Sequence, residues 1–201
     1  MPTSLHNYTI PYINTTEGAG EEDVVYVNSG TLTIDGDKTL AALYVRPEAS
    51  VEVTNGTLTV GKLVMRTLPW QAAAISGNFT ATETWYTRIA PNNRTISGPG
   101  GEITYESARY YQFALPLDCT VPLSEIQVSH GANTPYGKTW LLKHYDEATR
   151  AEKGAGEANW VAVREEDKES YHIQGGVGYE MSSNSAYYRE FYFPVGAVNS
   201  A

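Results

Sequence analysis

Gly30-Thr31-Leu32-Thr33-Ile34 and Gly56-Thr57-Leu58-Thr59-Val60 are nearly one word written twice. Gly77-Asn78-Phe79-Thr80-Ala81 and Gly101-Glu102-Ile103-Thr104-Tyr105 repeat it more loosely. Side chains alternate along a β-strand, so Leu32 and Ile34 share one face while Thr31 and Thr33 take the other. Around these words lie Val24-Val25-Tyr26-Val27, Leu43-Tyr44-Val45, Val51-Glu52-Val53 and Leu63-Val64-Met65, punctuated by Gly, Asn, Asp or Pro. None has the length or the 3.6-residue spacing of a helix. A repeat of about 20 to 27 residues built from very short strands suits a parallel β-solenoid, in which stacked rungs supply the core that no rung has alone. Leu32, Leu58, Phe79 and Ile103 are then expected to pile up as one inward ladder. The competing reading is a β-sandwich whose strands share a Gly-x-Leu-Thr word.

Beyond Arg109 the strands lengthen. Tyr110 to Leu115 is closed by Pro116, and Glu125 to Val128 and Thr139 to Tyr145 alternate. Trp160 to Val163, Tyr171 to Ile173, Val177 to Met181 and Tyr188 to Phe193 follow. Residues 147–158 carry charges with Gly154 and Gly156 and read as a long loop or broken turn. Ordinary turns between such strands suggest an antiparallel sandwich or jelly roll. The expected fold is therefore all-β: a short right-handed parallel β-solenoid followed by an antiparallel β-sandwich or jelly roll. Its parts are an extended lead-in over 1–23, solenoid rungs over 24–108, a sandwich over 109–196 and a linker-like tail over 197–201, with the boundary near 100 to 110.

The 201 residues are 41% hydrophobic and 18% charged, an ordinary globular mixture. A net charge of −9 argues against a nucleic-acid partner, since phosphate backbones are held by clustered Lys and Arg. No apolar run approaches the roughly 18 to 20 residues that span a bilayer. One cysteine, Cys119, rules out an intramolecular disulfide and reads as a small buried hydrophobe. Residues 1–6 lack the basic and apolar regions of a secretory signal, and the small, polar finish Ala197 to Ala201 resembles a linker cut from a longer chain.

Catalytic patterns are sparse. His6, His130, His144 and His172 are scattered, with no Cys-x-x-Cys or His-x-x-x-His pair for a metal. Asp35-Gly36-Asp37 lacks the remaining ligands of a calcium loop and reads as a β-turn. No Gly-x-Ser-x-Gly elbow occurs, and Gly98-Pro99-Gly100-Gly101 precedes a strand where a phosphate cradle needs a helix N-terminus. Asp146, Glu147 and Glu157 are read as solvated loop charges, not a glycosidase pair. The chain is expected to be no enzyme and to use no cofactor or metal. Fifteen Tyr and four Trp are generous, and flat aromatic faces with polar neighbours hold sugars; Trp160, Tyr136 and Trp85 are the candidate ligand-binding residues. The bland alternative places such rings in a sandwich core.

Tyr110-Tyr111-Gln112-Phe113-Ala114-Leu115-Pro116-Leu117-Asp118, then Tyr145-Asp146 with Arg150-Ala151, Asn159-Trp160 and Gly175-Gly176-Val177-Gly178-Tyr179, resemble in order a module of large Bacteroidetes cell-surface proteins. In those proteins a β-solenoid of Gly-x-Leu-Thr-like rungs precedes a β-sandwich. The resemblance covers roughly residues 24 to 196, and departs from the pattern in lacking a signal and an anchor. It implies an exported, cell-surface parent and carries over no catalytic residue. The expected function is a non-enzymatic structural or adhesive segment, extracellular or on the cell surface, whose partners are a glycan or a host or neighbouring cell surface, with no membrane insertion. The alternatives are a carbohydrate-binding module of a glycan-degrading system and a fragment of a phage tail fibre.

Overall fold

A strand of β-branched and aliphatic residues stays extended until a residue allows the chain to turn, and here glycines at positive φ do so. Gly36 (φ 102°), Gly56 (φ 73°) and Gly77 (φ 87°) each end one strand and begin the next in the left-handed region open to glycine. The computed structural model describes residues 11–68, 71–90, 110–129, 135–153, 159–183 and 189–200. They fall into two compact units: residues 1–66, 72–84 and 196–201, and residues 67–71 and 85–195.

The first unit is the solenoid, about three turns of it. Strands β1 (Tyr12–Ile13), β2 (Val24–Val27), β4 (Lys38–Val45), β6 (Leu58–Thr67) and β8 (Phe79–Ala90) follow one another in one wall, while β3 (Gly30–Asp35), β5 (Ala49–Asn55) and β7 (Ala74–Ser76) make the other. From β1 through β2 and β4 to β6, and from β3 through β5 to β7, neighbouring strands are parallel. Val25 lies beside Leu43 and Leu43 beside Leu63, so a turn takes 18 residues at one rung and 20 at the next. Val25, Leu43, Leu63, Leu58 and Val60 are fully buried, and Leu32, Ile34, Val51 and Val53 meet them from the second wall. Each such aliphatic side chain contributes about 1.5–3 kcal/mol on burial. Thr31, Thr33 and Thr59 face outward, as alternation requires.

The single ladder expected from the glycine words is corrected. Leu32 is in register with Val51, and Val51 with Ile75, all in the second wall. Leu58 lies in the first wall beside Lys38, and its N–H donates to the Asn78 carbonyl at 3.1 Å, one residue from Phe79. The fourth copy, Gly101 to Tyr105, lies outside the described residues. The two near-identical words occupy different walls because the coil turns a corner more than once per rung, and glycine serves at corners of both kinds. Gly56 is stacked on Gly36, not on Gly30: a Cβ at Gly56 would stand 2.5 Å from the Gly36 carbonyl carbon. Both walls nonetheless face one interior, so the solenoid stands.

Both ends of the described solenoid are tied to it by hydrogen bonds. Ile13 pairs with Tyr26 in parallel, and the Asn14 side chain (φ 54°) accepts the Asn28 N–H at 2.6 Å. At the other end, β16 (Arg189–Asn199) takes in most of the tail, and the Ser200 N–H donates to the Phe79 carbonyl at 3.0 Å. This covers the edge of the solenoid wall, where unpaired N–H and C=O groups would invite aggregation.

The second unit is antiparallel. β9 (Tyr111–Phe113), β12 (Trp140–Tyr145), β13 (Trp160–Ala162) and β15 (Tyr179–Ser183) form a sheet in the order β13-β12-β15-β9. Its inner rings meet β16: Trp140 stands edge-on to Phe191 at 5.2 Å between centroids, and Phe113 lies 5.5 Å from Phe193. β16 also pairs with β11 (Gln127–Val128), and β10 (Thr120–Pro122) pairs with β14 (His172–Gln174). Facing sheets with Phe191, Phe193 and Leu142 fully buried make the expected sandwich. Residues 147–153 correct the loop reading, forming helix α1 (Glu147–Lys153). Asp146 caps it by accepting the Ala148 N–H at 3.0 Å, and Ala, Arg, Glu and Lys then favour the helix.

Candidate functional site

The three aromatic residues singled out from the sequence do not converge. Tyr136 is buried, donates its hydroxyl to the Val163 carbonyl at 2.6 Å and stands edge-on to Trp140 at 4.7 Å. It borders a groove of about 480 Å³ with Gln127, Pro135 and Lys168, and neither of the two candidate tryptophans lines that groove. Trp160 is half-buried at the edge of the four-stranded sheet, edge-on to Tyr145 at 5.4 Å, while Arg150 donates to the Tyr145 hydroxyl at 2.8 Å. Trp85 is half-buried on β8.

Burial shifts several titratable groups from their ordinary pKa values. Among the described residues no group of three or more His, Cys, Asp or Glu could hold a metal. Cys119 is half-buried, and burial followed by the Asp118 charge pushes its thiol pKa up, away from the reactive thiolate. Arg88 is buried in β8, where its guanidinium donates to the Gln112 carbonyl at 2.8 Å and lies over the Phe113 ring. Burial lowers its pKa while the Tyr86 hydroxyl opposes that shift; it holds the sandwich together. No helix among the described residues is long and apolar enough to cross a membrane.

The more organised surface lies on the outside of the solenoid. Tyr26 and Tyr44 are in register on adjacent rungs, and Tyr44 is in register with Val64. Buried Val25, Val27, Leu43 and Val45 flank the two tyrosines and point inward, so both rings stand outward. They stack at 4.7 Å between centroids with planes 9° apart, the spacing of neighbouring strands. Two residues further along each strand, Asn28, Arg46 and Arg66 form a second outward row. The Arg46 N–H donates to the Val27 carbonyl at 3.0 Å, which carries the ladder past the end of β4. These two rows line a groove of about 390 Å³, closed at one end by Pro11 and Ile13, the latter 56% exposed.

A signal for this groove is present in the sequence but in another word. Val24-Val25-Tyr26-Val27, Ala42-Leu43-Tyr44-Val45 and Lys62-Leu63-Val64-Met65 share an inward apolar second residue, an outward third residue and an inward apolar fourth. Aligning those three, and not the glycine words, places the tyrosines on each other. The arrangement offers stacked phenol edges and guanidinium donors on a fixed frame. Compared with protein-family models, with curated proteins and with solved structures, the chain finds no match.

Proposed function

We propose that this chain is a non-enzymatic adhesive segment of a bacterial cell-surface protein, with the solenoid as a stiff support and its tyrosine–arginine face as the contact surface. The observation that carries the reading is the Tyr26–Tyr44 stack beside Arg46, held in register by the parallel ladder. A row fixed by backbone pairing loses little side-chain freedom when a ligand settles on it, which favours affinity. Deposition of the chain on beads, followed by capture of glycans from a broad array, tests this. Binding that Tyr44→Ala abolishes supports it, and silence across the array refutes it.

A second reading, a carbohydrate-binding module of a glycan-degrading system, draws on the half-exposed Trp160 set edge-on against Tyr145. Array binding lost in Trp160→Ala and kept in Tyr44→Ala would favour this second reading over the first.

A further inference from the structure

We infer that the groove on the outer face of the solenoid binds an anionic glycan, a sugar chain carrying carboxylate or sulfate groups, with Arg46 as the anion-holding residue. This rests on the adhesive reading and specifies its ligand.

Charge supports the choice. Acidic residues outnumber basic ones 23 to 14 in the chain, yet none of the residues lining this groove is acidic and two are arginines. Arg46 is exposed, and its planar guanidinium matches carboxylate and sulfate oxygens two at a time. Asn28, Arg46 and Arg66 are one row and Tyr26, Tyr44 and Val64 the other, both running from rung to rung. A linear polymer laid along the coil therefore meets an amide and two guanidinium groups on one side, and two phenol edges followed by Val64 on the other.

Ring geometry narrows the class further. Because Tyr26 and Tyr44 cover each other's faces, the groove receives their edges and hydroxyls. Among the described residues neither hydroxyl has a hydrogen-bond partner, so both are available to a polyhydroxylated ligand. An acidic peptide offers the arginines the same anions and the hydroxyls its backbone amides, and polyglutamate is the probe that separates it from a sugar. Glu48 follows Arg46 by two residues, at φ 66°, and is the acidic group nearest to it in sequence.

The test uses the full chain and calorimetric titration at low salt with four probes: a heparin oligosaccharide, an oligogalacturonate, a neutral maltooligosaccharide and polyglutamate. Expected is binding of at least one anionic sugar about tenfold or more tighter than the neutral one, weakened about tenfold or more by Arg46→Gln and weakened by added salt. The heparin and oligogalacturonate arms separate sulfate from carboxylate. Far-UV circular dichroism confirms that Arg46→Gln, an exposed change, stays folded. Neutral and anionic sugars bound equally, an unaltered Arg46→Gln, or polyglutamate bound as tightly as the sugars would each overturn the anionic assignment while leaving adhesion intact. Failure of every sugar overturns both.

Discussion

Gly30→Ala and Gly56→Ala alter the same letter of the same word, and the structure assigns them different costs. Both glycines sit at positive φ, 68° and 73°, so alanine meets a conformational penalty of about 1–2 kcal/mol at either site. At Gly30 the new methyl group meets nothing within 4 Å. At Gly56 it meets the Gly36 carbonyl carbon at 2.5 Å and the Asp37 nitrogen at 2.7 Å. These are backbone atoms and cannot rotate away. It also crowds the Asp37 carboxylate, which accepts the Thr57 N–H at 2.9 Å. Separating the two corners adds about 1–3 kcal/mol, the usual cost of overpacking.

Gly56→Ala should therefore destabilise the solenoid by about 2–5 kcal/mol and Gly30→Ala by about 1–2 kcal/mol. Urea titration followed by far-UV circular dichroism reads this as a larger fall in midpoint for Gly56→Ala at unchanged slope. The two compact units call for fitting the solenoid transition by itself. Equal midpoints for the two variants would mean that the two glycines hold equivalent places in the coil, and the register of the walls described above would be wrong.

Two further outcomes follow from titratable groups. Cys119, its thiol pKa raised by burial and by Asp118, should alkylate with iodoacetamide more slowly at pH 8 than an unstructured cysteine, and Asp118→Asn should speed the reaction; a rate equal to the unstructured thiol's would contradict this. Burial also raises the Glu180 pKa, against the opposing Gln112 hydrogen bond and Lys143 charge. The fold thus favours the protonated acid, and stability present below the unfolded pKa is lost as pH rises through the folded one. Glu180→Gln should accordingly be more stable than the parent at pH 7, with the gap closing near pH ~3, and a gap independent of pH would sink the assignment.

Solenoid and sandwich were both legible because each depends on alternation, a property of single strands. Leu32 with Ile34, and Leu58 with Val60, point inward whatever their neighbours do. The division between units was less legible. The boundary expected near 100 to 110 falls mostly outside the described residues, and the units part within β8, between Thr84 and Trp85, where no glycine or proline marks a change. Helix α1 was hidden by the glycines that follow it, although Asp146 ahead of Glu147-Ala148 is an ordinary helix start.

The groove could not be read the same way, because its existence depends on rung length. Tyr26 meets Tyr44 only if that turn of the coil takes 18 residues, and Arg46 meets Arg66 only if the next takes 20. Those lengths are set at the corners, where one residue more or less is absorbed without disturbing either wall: Ile34 stays beside Val53 while Asp35 shifts to Asn55. A strand pattern fixes which side of the wall a residue occupies, whereas the corners decide what stands next to it one rung away. Deleting both Asn28 and Ser29 with the rung kept at 18 residues would therefore leave the inward alternation of each strand intact and yet set Tyr26 beside Arg46 in place of Tyr44. An outward groove on a solenoid is in this sense encoded by its loops, and its residues are found by aligning rungs on their register and not on their most alike words.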